Sequence, residues 1–182
     1  MKELSLNILD IAQNSIKARA NLVGITIVET DESLRVTVSD NGCGMKKDFL
    51  LTVTDPFSTT RTTRMVGMGI PLLKLQAEQT GGSFEITSRH EEEYKETHGT
   101  ETTAHFFKNH IDMTPLGDII STVVALIQCN PDIDFVFNHK IGQTEITLDT
   151  REMRAILGDI PLNNTEIIGW ISDNLREQYN NS

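Results

Sequence analysis

The chain has 182 residues, 38% of them hydrophobic, and a formal net charge of −10. That length suits one ordinary domain, or one domain with an appendage, and the acidic balance argues against a nucleic-acid partner. The two cysteines, Cys43 and Cys129, form no CxxC pair, the five histidines are scattered, and no run approaches the ~18 apolar residues of a membrane span. The expected setting is therefore cytoplasmic, without a membrane partner and without a disulfide framework or structural zinc site.

Residues 3–20 carry a helical stripe of Leu4, Ile8, Ile11, Ser15 and Ala18. GITIVET and LRVTVSD alternate apolar and polar residues around TDES, which predicts a hairpin. A glycine-rich turn, NGCGM, and a short helix over 46–54 follow. After the polar stretch DPFSTTRTTRMVGMGIP, a helix is expected from about Ile70 to Gln79, then strands SFEITSR and TETTAHFF around a charged connection. Residues 1–108 thus read as a two-layer α+β sandwich, with helices on one face of a mixed sheet. Residues 109–182 read as a second, small α+β module ordered αββαα. Its first helix is expected to be capped by Thr114 with Pro115 at the first position, and NHKIGQ to be a turn. Asp149 or Thr150 opens the next helix, which Gly158 ends, and Asn163 with Glu166 suggests a capping box for the last.

Four segments carry chemistry-bearing residues. In LDIAQNSIKA, Asp10, Asn14 and Lys17 share one side of a helix, as a site or as a solvated polar stripe. In DNGCGM, Asp40 can accept a hydrogen bond from an exocyclic amine, while Gly42 and Gly44 allow close backbone approach or positive φ; a tight turn explains the same residues. Gly67, Met68 and Gly69 precede a helix, where free N–H groups and the helix dipole favour an anion, and Thr59, Thr60, Arg61 and Arg64 can add donors; a loop with a capping glycine is the alternative. In GTETTAHFF, the Thr100 hydroxyl is expected to steady the Asp40 carboxylate, or Thr100 is simply a good strand residue.

In this order the four segments resemble the GHKL ATPase superfamily of gyrase, the large heat-shock chaperones, sensor histidine kinases and MutL. LDIAQNSIKA looks like its N box, DNGCGM its first glycine box, DPFSTTR its F box, VGMGI its second glycine box, and GTETTAHF its closing strand, over about residues 4–107. The resemblance implies a Bergerat ATP-binding fold holding ATP with Mg²⁺. Asn14 would ligate the metal and Asp40 the adenine amino group, with Gly42, Gly44, Met45 and Thr100 supporting that pocket. Lys17, Gly67, Met68 and Gly69 would meet the phosphates, with Thr59, Thr60 and Arg61 as γ-phosphate sensors. The short segment from Asp40 to Gly67 looks like histidine kinases and anti-sigma serine kinases, yet no HExxxP-type phosphoacceptor segment or dimerisation helix precedes it.

Asp10 stands where the gyrase and MutL branch carries a glutamate base and histidine kinases an amide, which implies slow hydrolysis at most. Two functional expectations follow. One is an ATPase or a kinase acting on a protein partner; the other is a non-catalytic ATP-responsive module. Either a monomer or a homodimer fits.

Overall fold

A computed structural model describes residues 3–54 and 68–181. Twelve elements follow one another: α1 (Leu4–Lys17), β1 (Leu22–Glu29), β2 (Ser33–Asp40), α2 (Lys47–Thr52), α3 (Gly69–Gln79), β3 (Ser83–Arg89), β4 (Gly99–Phe107), α4 (Ile119–Cys129), β5 (Asp134–Ile141), β6 (Thr144–Asp149), α5 (Thr150–Leu157) and α6 (Thr165–Asn180). The strands form one six-stranded sheet in the order β3-β4-β2-β1-β5-β6. Every neighbouring pair is antiparallel except β1 with β5, so the sheet is mixed.

The strand alternation decides which face is covered. Val38 opposes Ile25 and Thr102, Val36 opposes Ile27 and Ala104, and Ile25 in turn opposes Phe137. All of these side chains are buried, and they make one continuous floor under the helices. Leu4, Ile8, Ile11 and Ala12 of α1 pack onto it, beside Ile70, Leu73 and Ala77 of α3 and Val123, Leu126 and Ile127 of α4. Each leucine, isoleucine or valine among them contributes about 1.5–3 kcal/mol when fully buried. Across the other face run residues such as Thr26, Arg35, Glu101 and Thr147, all exposed. The chain is therefore α+β, with its helices on one face.

Residues 109–182 extend this same sheet, because β5 pairs along the whole length of β1. Two sequence expectations about this stretch need correction. Thr114 and Pro115 do not open a helix. Instead the carbonyls of Pro115 and Leu116 accept the N–H groups of Leu4 and Ser5 at 2.9 and 2.8 Å, satisfying donors that the first turn of α1 cannot pair internally. Helix α4 begins later, where the Asp118 side chain accepts the Ser121 N–H. NHKIGQ is also mostly strand: β5 continues to Ile141, and Gly142, at φ 58°, makes the turn. Asn138 and Lys140 alternate with the buried His139, which keeps the strand period intact. At the last helix, Asn164 rather than Asn163 is the cap, one residue from the sequence reading. Asp149 and Gly158 bound α5 as expected.

At the far end of β1, His139 is 1% exposed. Its Nδ1 lies 2.6 Å from the Tyr179 hydroxyl and its Nε2 3.3 Å from Glu29, whose other oxygen meets Lys108 Nζ at 2.6 Å. Burial pushes the imidazole below its ordinary value of 6.5, outweighing the opposing pull of Glu29. The unfolded chain then takes up the proton first, so stability present above pH ~6.5 is lost as the pH falls below it, by up to about 1 kcal/mol per unit. Denaturant unfolding at pH 7.5 and 5.5 checks this. The acid-side slope should shrink in His139→Leu, whatever that variant's absolute stability.

Candidate active site

The C-terminal half of α1 lies across the ends of β2 and β4, and this crossing forms the site. Helix α1 ends at Lys17, and two residues on Arg19 takes a left-handed φ of 63° while Ala20 N–H bonds back to the Ser15 carbonyl. Beside it, the Asn41 side-chain oxygen accepts the N–H groups of Asn21 and Leu22, each at 3.0 Å, which ties the glycine turn to the start of β1. Gly42 runs so close to α1 that a Cβ there would lie 2.7 Å from the Ala18 carbonyl oxygen. Gly44 has a φ of 68°, and a Cβ on it would meet the Arg89 carbonyl oxygen at 2.0 Å.

Between these elements lies a cavity of about 350 Å³. Ile11, Val38, Met45, Phe49 and Ile70 give it apolar walls, and Asp40, Thr100, Thr102, Asn14 and Lys17 line it with polar groups. An apolar chamber with a few convergent polar groups is the usual form of a small-molecule site. Asp40 is the most constrained of them. Its Oδ2 accepts the Ser15 hydroxyl at 2.6 Å, and its Oδ1 accepts the backbone N–H groups of Gly42 at 2.9 Å and Thr100 at 3.3 Å. Three donors fix the carboxylate and leave acceptor capacity on Oδ2 for a ligand.

The Thr100 hydroxyl does not steady Asp40, contrary to the sequence expectation. It sits 2.8 Å from Ser88 Oγ, and the Thr100 backbone N–H holds the carboxylate instead. Antiparallel register explains this, because Thr100 lies directly opposite Asp40 and turns its N–H toward it. Two residues escaped the sequence reading. Ser15 was legible only as a small member of the buried stripe, and Ser88 only as a strand residue. Ser88 Oγ accepts the Met45 N–H at 2.7 Å, so it joins the glycine turn to the strands behind it.

Asn14 lines the cavity wall and carries a buried Nδ2 with no hydrogen-bond partner among the described residues. Asp10 lies one turn back on α1, outside the cavity lining. It packs on the N-terminus of α3, where a Cβ on Gly69 would meet the Asp10 Cβ at 2.8 Å. Met68 caps α3 and is exposed. Thr59, Thr60, Arg61, Arg64 and Gly67 lie outside the described residues.

The family model described as "Histidine kinase-, DNA gyrase B-, and HSP90-like ATPase" matches residues 2–110. The chain belongs to this family of ATPase domains. Two proteins named NtrY-like sensor histidine kinases, from Rickettsia conorii and Rickettsia felis, are each 29% identical over 93 residues. That match takes in 50% of this chain and 15% of theirs, so the chain corresponds to a small part of either relative. Among solved structures, the N-terminal domain of a DNA repair protein superposes with a TM-score of 0.59 at 14% identity, covering 82% of this chain and 53% of that one. The Aquifex aeolicus MutL ATPase domain complexed with ADP superposes with a TM-score of 0.55 at 14% identity, covering 97% and 70%. At that identity the likeness is one of fold. It extends past residue 110, so β5, β6 and α4–α6 fall within the superposed part.

The glycine turn gives a direct test of this geometry. Gly44→Ala meets both a left-handed φ and a backbone carbonyl, whereas a Cβ on Gly142, at φ 58°, meets nothing within 4 Å. Urea unfolding should show Gly142→Ala losing about 1 kcal/mol and Gly44→Ala losing about 2–4 kcal/mol. Equal losses would mean that the turn is not packed against β3.

Proposed function

We propose that this chain binds ATP with Mg²⁺ in the cavity over Asp40 and uses it in a regulatory role. It would act by slow hydrolysis or by transfer of the γ-phosphate to a protein partner. The observation that carries this reading is the Asp40 carboxylate, held by Ser15, Gly42 and Thr100 at the polar end of an apolar chamber. A fixed acceptor of this kind suits the exocyclic amine of adenine, and flat apolar walls suit a base. Family membership and the ADP named with the MutL domain support an adenine nucleotide.

In this reading Met45, Ile11 and Ile70 flank the base, while Gly44 lets the backbone come close to it. Asn14, at the cavity wall, fits a metal ligand through its side-chain oxygen, and Lys17 fits a phosphate contact. Mg²⁺ would supply charge neutralisation on the phosphates, which is most of what phosphoryl transfer asks of a site. Met68 and Gly69 open α3, and the N–H groups of its first turn suit the phosphate end. Gly67, Thr59, Thr60 and Arg61 complete that end by resemblance. Asp10 would orient the attacking water as a general base, at a reach one methylene shorter than glutamate.

The relatives named as histidine kinases support transfer to a partner. One observation favours a second reading, a non-catalytic module whose ATP-bound form is recognised by a partner. Asp10 packs against Gly69 rather than lining the cavity.

Calorimetry with Mg-ATP tests the binding claim. Wild type should bind and Asp40→Asn should lose at least tenfold in affinity, since an amide presents a donor where the amine needs an acceptor; equal binding sinks the reading. Steady-state phosphate release then separates the two modes. Asp10→Asn should cut turnover by about 10²-fold or more at similar ATP affinity if Asp10 is the base. No turnover in wild type, with binding intact, selects the switch.

A further inference from the structure

The connection between β3 and β4, residues 90–98, starts at the cavity wall with His90 and runs beside the glycine turn. It is charged, carrying Glu91, Glu92 and Glu93 in succession and Glu96 three residues on. Three of these acids pair in order with cations of neighbouring segments. Arg19, just after α1, meets Glu91 at 2.6 Å, Lys46 meets Glu92 at 2.8 Å, and Lys47 at the start of α2 reaches Glu93 at 3.7 Å.

Backbone contacts set this register. Glu91 N–H donates to the Cys43 carbonyl at 2.9 Å, and at the other end of the loop His98 Nδ1 lies 2.6 Å from the Gly42 carbonyl oxygen. Both anchors lie on the glycine turn that carries Asp40 toward the cavity. His90 and Lys46 line the cavity themselves, so the paired segments are part of its wall. The hydrogen bond from Lys46 holds the Glu92 carboxyl below its ordinary range, as a charged partner at this distance should.

We propose that residues 90–98 form a closure of the nucleotide cavity, latched by these three ion pairs, that limits how fast a bound nucleotide leaves. The inference rests on the nucleotide reading of the site. It differs from the expectation for residues 55–69, which concerns the phosphate end. This loop closes the wall next to Asp40 and the glycine turn. All three pairs are exposed, so each is weak and screened by salt. A latch of this kind opens readily and closes again, and its strength follows ionic strength.

The charges make the test two-sided. If Glu91, Glu92 and Glu93 only added negative potential near an anionic ligand, removing them would tighten nucleotide binding. If they latch the wall, removing them speeds release. The triple variant Glu91→Gln/Glu92→Gln/Glu93→Gln keeps size and hydrogen-bonding capacity, and its thermal melt checks that the fold is retained.

A fluorescent ADP analogue, followed by stopped-flow displacement at low salt, should leave the variant roughly tenfold faster than wild type, as expected for three such pairs acting together. The gap should narrow at 1 M salt. Tryptic cleavage of the ligand-free protein after Lys95 should also be several-fold faster in the variant. Unchanged or slower release, or unchanged cleavage, overturns the latch. Failure of wild type to bind the analogue or ATP at all overturns the nucleotide reading and the latch's role in retention with it. Normal binding with unchanged release leaves that reading intact and removes only the latch.

Discussion

The site depends on the clamp around the Asp40 carboxylate. A carboxylate at the end of a strand beside an apolar chamber is costly unless its oxygens are hydrogen-bonded. Here three segments distant in sequence supply the donors: the Ser15 hydroxyl from α1, the Gly42 N–H from the turn, and the Thr100 N–H from β4. Each donor requires a particular piece of architecture. Ser15 must face the sheet, so α1 must lie across β2. Gly42 must pass close to Ala18, where a side chain would clash. Thr100 must lie in register with Asp40. Because the clamp needs all three, the carboxylate's geometry is fixed by the fold itself, which in the proposed site is what preorganisation means physically.

The C-terminal residues serve this arrangement from behind. Pairing of β5 with β1 makes β1 an interior strand, and α4 packs against α1 with Val123 and Ile127 buried. The carbonyls of Pro115 and Leu116 pair with the first N–H groups of α1. The helix that carries Asp10, Asn14, Ser15 and Lys17 is thereby held at its N-terminus, along its side and across the sheet. We propose on that basis that residues 109–182 support the ATP-binding unit rather than act as an independent module.

Much of this was legible in the sequence, and for identifiable reasons. Strand alternation is a strong local signal, so β3 matches SFEITSR and the one-sided core follows from periods of two and 3.6. The order of the four boxes pointed to the family, although each box alone fitted a bland turn or stripe. What was not legible depends on pairing across the chain. Ser15 looked like a core residue because nothing local shows that its hydroxyl meets an acid 25 residues away. Thr100 looked like a hydroxyl donor because register, not composition, decides that its backbone does the holding. Thr114-Pro115 has the chemistry of a helix start, but the carbonyls of Pro115 and Leu116 are taken by α1, a tertiary use that overrides the local preference. The acidic loop read only as a charged connection because its cationic partners lie on other segments.

The central claim is that Asp40 reads an amine. Competition between ATP and inosine triphosphate tests it most directly, because inosine carries a carbonyl oxygen in place of the exocyclic amine and a proton on the adjacent ring nitrogen, so the donor that Asp40 would accept from becomes an acceptor. With the carboxylate fixed as an acceptor, ATP should bind at least about tenfold more tightly, since the inosine carbonyl would face an oxygen with no proton between them. Equal affinity for the two nucleotides would contradict the account, because Asp40 could not then be the group that recognises the base.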